Sequence, residues 1–521
     1  MNPACQREIP VALTEADADF SAAVASAMSA ARSAQSRRPG LARCLQCVRR
    51  LRQLIAENAL ALAEASAAAR LRPAGEALTA EVLPLAESCR FLERHAQTIL
   101  AAKRFGAIGR PLWLAGVRSE IHREPFGVVL IIGPGNYPLL LPGVQAIQAL
   151  VTGNAVLIKP GVGGISAALA LRELIVRAGF PAELIAVLPE STEAARAAIA
   201  ARPDKVIFTG SVATGERILA QLAPELIPAT MELSGGDAVV VRADADLDLT
   251  VKALAFGLRL NGGATCLAPK RVFVHRSVAT DFEGRLAREF NSHGSQGAEK
   301  LNDFSSPTCE SPSGQVLIAS AATEKLRSLL DDAVASGARF LAGGVGPDGR
   351  IATPLVIAGV HANAQLLTAD VFLPVLALVT VADDHEAFLR ANDGPFALGV
   401  SIFTRDEAAA RALAGRFQAG VVTINDLIVP TADARLPFGG TRRSGFGATR
   451  GAEGLLELTR PKVITLTRGK FRPAFAPPQP SDAELFKAYL EAAHGRGTWT
   501  RLKGMVSVMS NLLARPDKQL A

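Results

Sequence analysis

Six cysteines, at positions 5, 44, 47, 89, 266 and 309, are too sparse in 521 residues for a disulfide framework. Seven histidines are scattered, and none forms an HExxH or an HxxxH, so no metal is expected. No uninterrupted run of 18 or more apolar residues occurs, because VVLIIGPGNYPLLLPGV is broken by glycine, proline and Asn136. A membrane span is therefore not expected. The opening residues lack an apolar segment with signal-peptide flanks, and with so little cysteine the expected compartment is the reducing cytoplasm. Basic residues exceed acidic ones by 56 to 49, a net +7, but no aromatic-interleaved basic stripe concentrates that charge. Nucleic-acid binding is not expected, while acidic metabolites remain compatible.

What is present describes a globular enzyme-sized chain. Hydrophobic residues make up 49% and charged residues 20%, which leaves no room for a disordered or fibrous reading. The length suits two or three domains. Cys44 and Cys47 form a CxxC, but within LARCLQCVRRLRQL leucines recur at helical spacing and no second pair completes a site, so a plain helix is expected. Residues 14–104 carry alanine- and leucine-rich helical patterns, and PLWLAGVRSEIHREP (111–125) reads as an exposed ribbon. Short apolar runs then alternate with helical segments from GVVLIIGPGN through KVIFTG, and a second series follows Glu232. This alternation predicts two doubly wound α/β domains, whose ligands bind at the carboxyl ends of strands.

Four features lie at such ends. The loop TGSVATG opens a helix, where free amides and the helix dipole suit a pyrophosphate, although it is neither a P-loop nor GxGxxG. Asn136 in GPGNYP follows a buried strand and offers an amide to an oxyanion. Glu232 in TMELSGGD is a carboxylate beside small residues, where water can reach it. Cys266 in NGGATCLAPK has only small residues before it. Nucleophile, base and oxyanion donor are thus all on offer. Each also has a plain alternative: a turn-capping Asn, a surface Glu and a buried free Cys.

Seven stretches in order, GPGNYP, GNAVLIKP, FTGSVATG, MELSGGD, NGGATCLAP, NDGPFALGVSIFT and LPFGGTRRSGFG, resemble the motifs of the NAD(P)-dependent aldehyde dehydrogenase superfamily. The resemblance runs from about residue 14 to about 466, and the 34-residue gap from Glu232 to Cys266 agrees with it. It implies a Cys266 nucleophile whose flanking glycines let a carbonyl approach, an oxyanion held by Asn136, and Glu232 as general base for hydrolysis of a thioester to a carboxylic acid. It further implies NAD or NADP as cofactor, with the ribose on Lys159 and Val162, the pyrophosphate on Gly210, Ser211 and Gly215, and the nicotinamide end near Leu233, Asp370 and Phe372. An aldehyde substrate and a homo-dimer or homo-tetramer are implied as well. A relative that passes the acyl group to coenzyme A, and a non-catalytic scaffold on the same fold, are the alternatives. Domains expected from the resemblance are a cofactor-binding domain at 1–233 completed by about 417–450, a catalytic domain at 234–416, and bridging strands at 106–126 and 455–468.

This chain departs from the family at Ala264 for Gln, at Ser234 and Gly236 in ELSGG, and at Asp370 and Leu373 in DVFLP; Asp370 shortens the reach to the ribose by one methylene. Val162 stands where NAD-preferring relatives commonly carry Glu, which points to use of NADP. The stretch from Phe290 to Gly314 is polar and lacks the family's usual segment. FRPAFAPPQP reads as a linker before a tail (469–521) in which Trp499, Leu502, Met505, Val506, Met509, Leu512 and Leu513 recur at helical spacing. Such a tail suits packing on its own enzyme, on another subunit, or a weak contact with a membrane surface.

Overall fold

A computed structural model describes residues 20–70, 72–111, 114, 116–292, 315–317, 321–346, 350–468, 475, 477 and 479–513. Cys5, Cys309, most of the polar stretch after Phe290, most of the proline-rich linker and the side chains of Leu512 and Leu513 lie outside the described residues. Two compact units are present, residues 1–101 with 122–462 and residues 102–121 with 463–521.

The larger unit is α/β, built on two mostly parallel sheets, as the alternating pattern predicts. Val128–Ile132, Ala155–Lys159 and Lys205–Thr209 are short runs rich in β-branched residues and flanked by glycine or proline turns, so they form strands rather than helix. All five residues of Val128–Ile132 are buried, as a strand covered by helices on both faces requires. This sheet has six strands in the order 445–446, 229–232, 205–209, 128–132, 155–159 and 185–187. Its pairings are parallel except that Gly445–Phe446 runs antiparallel to the strand that ends at Glu232. Helices Leu140–Val151, Ile165–Arg177, Thr192–Ala200 and Val212–Leu222 make the connections.

The second sheet takes its parallel centre from Ile351–Ala358, Val375–Val381, Arg271–His275, Ala238–Val241, Gly399–Phe403 and Val421–Ile424, in that spatial order. Separate apolar clusters fill its two faces: Phe273, Leu330 and Ile402 on one, Val272, Phe282 and Phe403 on the other. Before both sheets come helices Phe20–Ser36, Leu41–Glu57, Ala59–Ala67 and Leu83–Ile99. Cys44 and Cys47 sit buried on the second of these, with both thiols raised by burial, which fits the plain helical expectation.

In the smaller unit Lys103–Phe105 pairs antiparallel with Ser119–Ile121. The ribbon expected from residue 111 begins later, at Val117. Helices Asp482–His494 and Thr498–Leu513 complete this unit.

Candidate active site

Four strands of the first sheet deliver candidate residues at their carboxyl ends. Ile132 leads into the turn that holds Asn136; Lys159 ends its strand; Thr209 and Gly210 end the next; Glu232 ends the fourth. The parallel register puts these ends on one edge, where doubly wound sheets bind ligands.

Cys266 follows a backbone that only a few sequences can adopt. Asn261, Gly262 and Gly263 are consecutive residues at positive φ, 52°, 58° and 73°. A Cβ on Gly263 would lie 2.6 to 2.9 Å from Pro374, so this glycine is required by backbone geometry and packing. That adds a reason to the one read from the sequence, where the glycines only cleared a path for substrate. Gly235 has a similar role, since a Cβ there would lie 2.2 Å from the Cys266 carbonyl oxygen. The thiol is then presented in a turn closed by the Ala268 amide donating to the Thr265 carbonyl at 3.0 Å.

Side chains pin this turn from both directions. Asn136 Nδ2 donates to the Ala264 carbonyl at 2.9 Å, and Asn261 Nδ2 donates to the Asn136 carbonyl at 2.9 Å. The amide of Asn136 thus braces the loop that carries Cys266 rather than capping its own turn. A side-chain amide carries a second N–H besides the one spent on Ala264. Tyr137 and Thr265 share a hydroxyl hydrogen bond at 2.6 Å. Lys270 is half-buried and donates to the Leu373 carbonyl at 2.6 Å, tying the segment after Cys266 to the loop that carries Asp370 and Phe372. Burial pushes the Lys270 ammonium down to about 8, against the pull of Asp237 and Asp370.

Glu232 is only 4% exposed, so it is neither a surface carboxylate nor as open to water as its small neighbours imply. Burial raises its pKa; the Thr449 hydroxyl, Arg450 and the Thr209 hydroxyl oppose that rise. Thr209 Oγ1 donates at 3.3 Å to one carboxylate oxygen, and Thr449 Oγ1 donates to the other. Cys266 is partly exposed. Its thiol is pushed up to about 12, first by desolvation and then by the negative charges of Asp237 and Glu232, with Arg450 pulling the other way. Arg450 lies over the Phe438 ring at 4.5 Å and donates to the Thr431 carbonyl at 2.5 Å. The structure therefore brings Cys266, Glu232 and Arg450 within electrostatic reach of one another. Thr449 and Arg450 escaped sequence reading, although they stand just past the SGFG stretch. Asn261 beside two glycines was a legible signal for a strained turn.

The remaining predicted residues divide. Burial lowers the pKa of Lys159, while Glu190 favours its charged form. Val162 is 81% exposed. Glu190, which sequence reading missed, accepts from the amides of Gly163 and Ile165 at 2.7 Å each, immediately after Val162. Ser211 caps the helix Val212–Leu222 by accepting from the Thr214 amide at 3.4 Å. Gly210 spends its own amide on the Glu232 carbonyl at 3.0 Å, so it is not among the free donors expected of that loop. A Cβ on Gly215 would lie 2.8 Å from the end of the Leu233 side chain, which is itself buried. Asp370 accepts from the Ser234 hydroxyl at 2.7 Å, and Phe372 is 41% exposed beside it. A buried cation and a helix amino end on one sheet edge form a donor set that fits a nucleotide diphosphate.

A family model described as "Aldehyde dehydrogenase family" matches residues 1–464. The chain belongs to the aldehyde dehydrogenase family. It is an NAD(P)-dependent enzyme that oxidises an aldehyde to the acid. This dehydrogenase is 32% identical over 455 residues to a putative NADP+ succinate-semialdehyde dehydrogenase of Mycolicibacterium smegmatis, covering 85% of this chain and 84% of that one. It is 30% identical over 424 residues to a 4,4'-diapolycopene aldehyde oxidase of Methylomonas sp, 81% of this chain and 77% of that one. Among solved structures, an NAD-dependent aldehyde dehydrogenase from Sinorhizobium meliloti aligns with a TM-score of 0.77 at 28% identity, covering 88% of this chain and 89% of that one. A Staphylococcus aureus betaine aldehyde dehydrogenase in complex with NAD+ aligns at 0.76 and 26%, covering 88% and 92%.

Proposed function

We propose that this dehydrogenase works through a covalent Cys266 thioester that Glu232 clears by activating water. What supports the reading is that Asn136 pins the turn before Cys266 and that Thr209 and Thr449 hold the Glu232 carboxylate, whose charge is among those that raise the Cys266 thiol. The Cys266 thiol loses its proton to solvent as the sulfur adds to the aldehyde carbonyl, and the oxyanion is met by an N–H of Asn136 and the backbone N–H of Cys266. When bound, NAD(P)+ would supply the acceptor for the hydride that must leave the adduct. Lys159 and the Ser211 helix end would hold its ribose and pyrophosphate, and Asp370, Leu233 and Phe372 its nicotinamide end.

Glu232 then takes a proton from water, which attacks the thioester carbonyl; the C–S bond breaks, the acid leaves, and the thiol is restored. A raised pKa suits this base, because it binds the proton well enough to pull it from water. Retention of that carboxylate favours hydrolysis over transfer to coenzyme A. The decisive experiment is mass spectrometry of Glu232→Gln after mixing with NAD+ and an aldehyde, across apolar, anionic and amino-substituted aldehydes. An acyl adduct on Cys266 supports the reading; turnover at the wild-type rate without an adduct removes it.

A further inference from the structure

The smaller unit carries a feature that aldehyde oxidation does not use. Helices Asp482–His494 and Thr498–Leu513 pack on each other as a hairpin joined by residues 495–497. In water such a pair buries its large apolar side chains in the seam and turns polar ones outward. Here much of that order is reversed. The close approach in the seam is made by small residues: a Cβ added to Gly504 would lie 2.4 Å from the Ala492 nitrogen and 2.9 Å from the Ala488 oxygen. Facing outward are Phe486 and Leu490 on the first helix and Trp499, Leu502, Met505, Val506 and Met509 on the second, with exposures from 53% to 77%. Their spacing of three and four residues keeps the five on one helix face. Small residues between helices with large apolar ones outside is the packing order of helices in lipid.

Charge selects the occupant. The second helix contains no carboxylate, and its cations Arg501 and Lys503 flank Leu502, so that at about 100° per residue they border the apolar stripe on opposite sides. Arg501 also donates to the Gly495 carbonyl at 2.9 Å and remains exposed. The hairpin's carboxylates, Asp482, Glu484 and Glu491, all stand on the first helix. Residues 471–521 hold seven Lys or Arg against four Asp or Glu. A second copy laid face to face would bring these like charges together, whereas anionic headgroups pair with them. Among the described residues no helix is long and apolar enough to cross a membrane, so the geometry suits lying in the interface rather than spanning it.

We propose that the hairpin 482–513 is a membrane-docking element, laying its Trp499–Met509 face into the interfacial layer of an anionic bilayer. Arg501 and Lys503 sit at headgroup level.

Flotation of the full-length chain with vesicles of phosphatidylcholine, alone or with one-third phosphatidylglycerol, tests it. The wild type floats with the anionic vesicles about tenfold more than with the neutral ones, and added salt narrows the gap. In a Trp113→Phe background Trp499 is the sole tryptophan, and its emission shifts to the blue on binding. Met505→Ser with Met509→Ser cuts flotation about tenfold while turnover of a soluble aldehyde stays within about threefold. Arg501→Ser with Lys503→Ser removes the preference for anionic lipid. The proposal is overturned if the wild type floats with neither vesicle, or if the methionine variant floats as well as the wild type. It is equally overturned if sedimentation without lipid shows a dimer that the methionine variant dissociates, since a second copy then covers the face.

Discussion

Ser234 Oγ donates to Asp370 Oδ2 at 2.7 Å, so two of the positions at which this chain departs from its family are in direct contact. The Ser444 hydroxyl fixes the other side of Ser234 by donating to its carbonyl at 2.8 Å. The Ser234 hydroxyl thus sets the direction of the Asp370 carboxylate. Removing that hydroxyl in Ser234→Ala forfeits a hydrogen bond worth about 0.5 to 1.5 kcal/mol. NADH affinity, followed by its fluorescence, is expected to weaken about two- to tenfold. Alkylation of Cys266 in the cofactor-free protein should stay unchanged, which separates a cofactor effect from a general loosening.

The proposed division of labour between thiol and carboxylate has a kinetic signature. Cys266→Ala should abolish oxidation, and Glu232→Gln should give a burst of about one NADH per site and then stall at the thioester. Stopped-flow absorbance reads the burst. A Gln variant with neither burst nor adduct would assign Glu232 another task.

A thiol raised to about 12 stays protonated through neutral pH. Iodoacetamide labelling of Cys266 in the cofactor-free protein should therefore climb about tenfold per unit from pH 7 to 10, as the small thiolate fraction grows. A cysteine of ordinary pKa would level off near pH 9, and that plateau would contradict the burial argument. The neighbours set opposite signs: Glu232→Gln removes a negative charge and speeds labelling at fixed pH, while Arg450→Met slows it. Shifts of about threefold or more either way are expected at these separations.

Val162 and Glu190 offer a test of cofactor choice. Val162 leaves no carboxylate at its own position, so NADP should be used at least comparably with NAD, and Val162→Glu should shift preference toward NAD by about tenfold. Glu190, held on the amides of Gly163 and Ile165, opposes a 2'-phosphate to the extent that its field reaches the ribose. Binding titrations with both reduced cofactors distinguish the two residues. Glu190→Gln should tighten NADPH severalfold more than NADH; an equal change in both would confine Glu190 to capping its helix.

Much of this was legible because parallel strands advertise themselves. VVLII, AVLIK and KVIFT are uniform apolar runs with turn residues behind them, and their carboxyl ends carried Asn136, Lys159 and Gly210 to one edge. That Cys266 and Glu232 act as a pair was implied only by the family resemblance, with which their 34-residue gap agrees. The bracing could not be read, because it depends on side chains that meet only after folding. Thr449 reaches Glu232 across 217 positions and Lys270 reaches Leu373 across 103, and nothing local in either stretch announces its target. The tail was half legible: periodicity gave its helix, but which residues line the seam depends on the hairpin, where Gly504 and Ala492 meet.

The Asn261 amide donates at 2.9 Å to Glu76, a residue 185 positions earlier, and Glu81 on the same early segment accepts the amides of Leu139 and Leu140. A ribosome adding about 5 to 20 residues per second reaches Asn261 roughly ten to forty seconds after Glu76. For that interval the Glu76 carboxylate lacks this partner, and the helical segment around it must wait in water. The loop that carries Cys266 therefore gains this contact late, against a segment that was translated first. Conditions that slow translation between these points lengthen the interval before that contact can form.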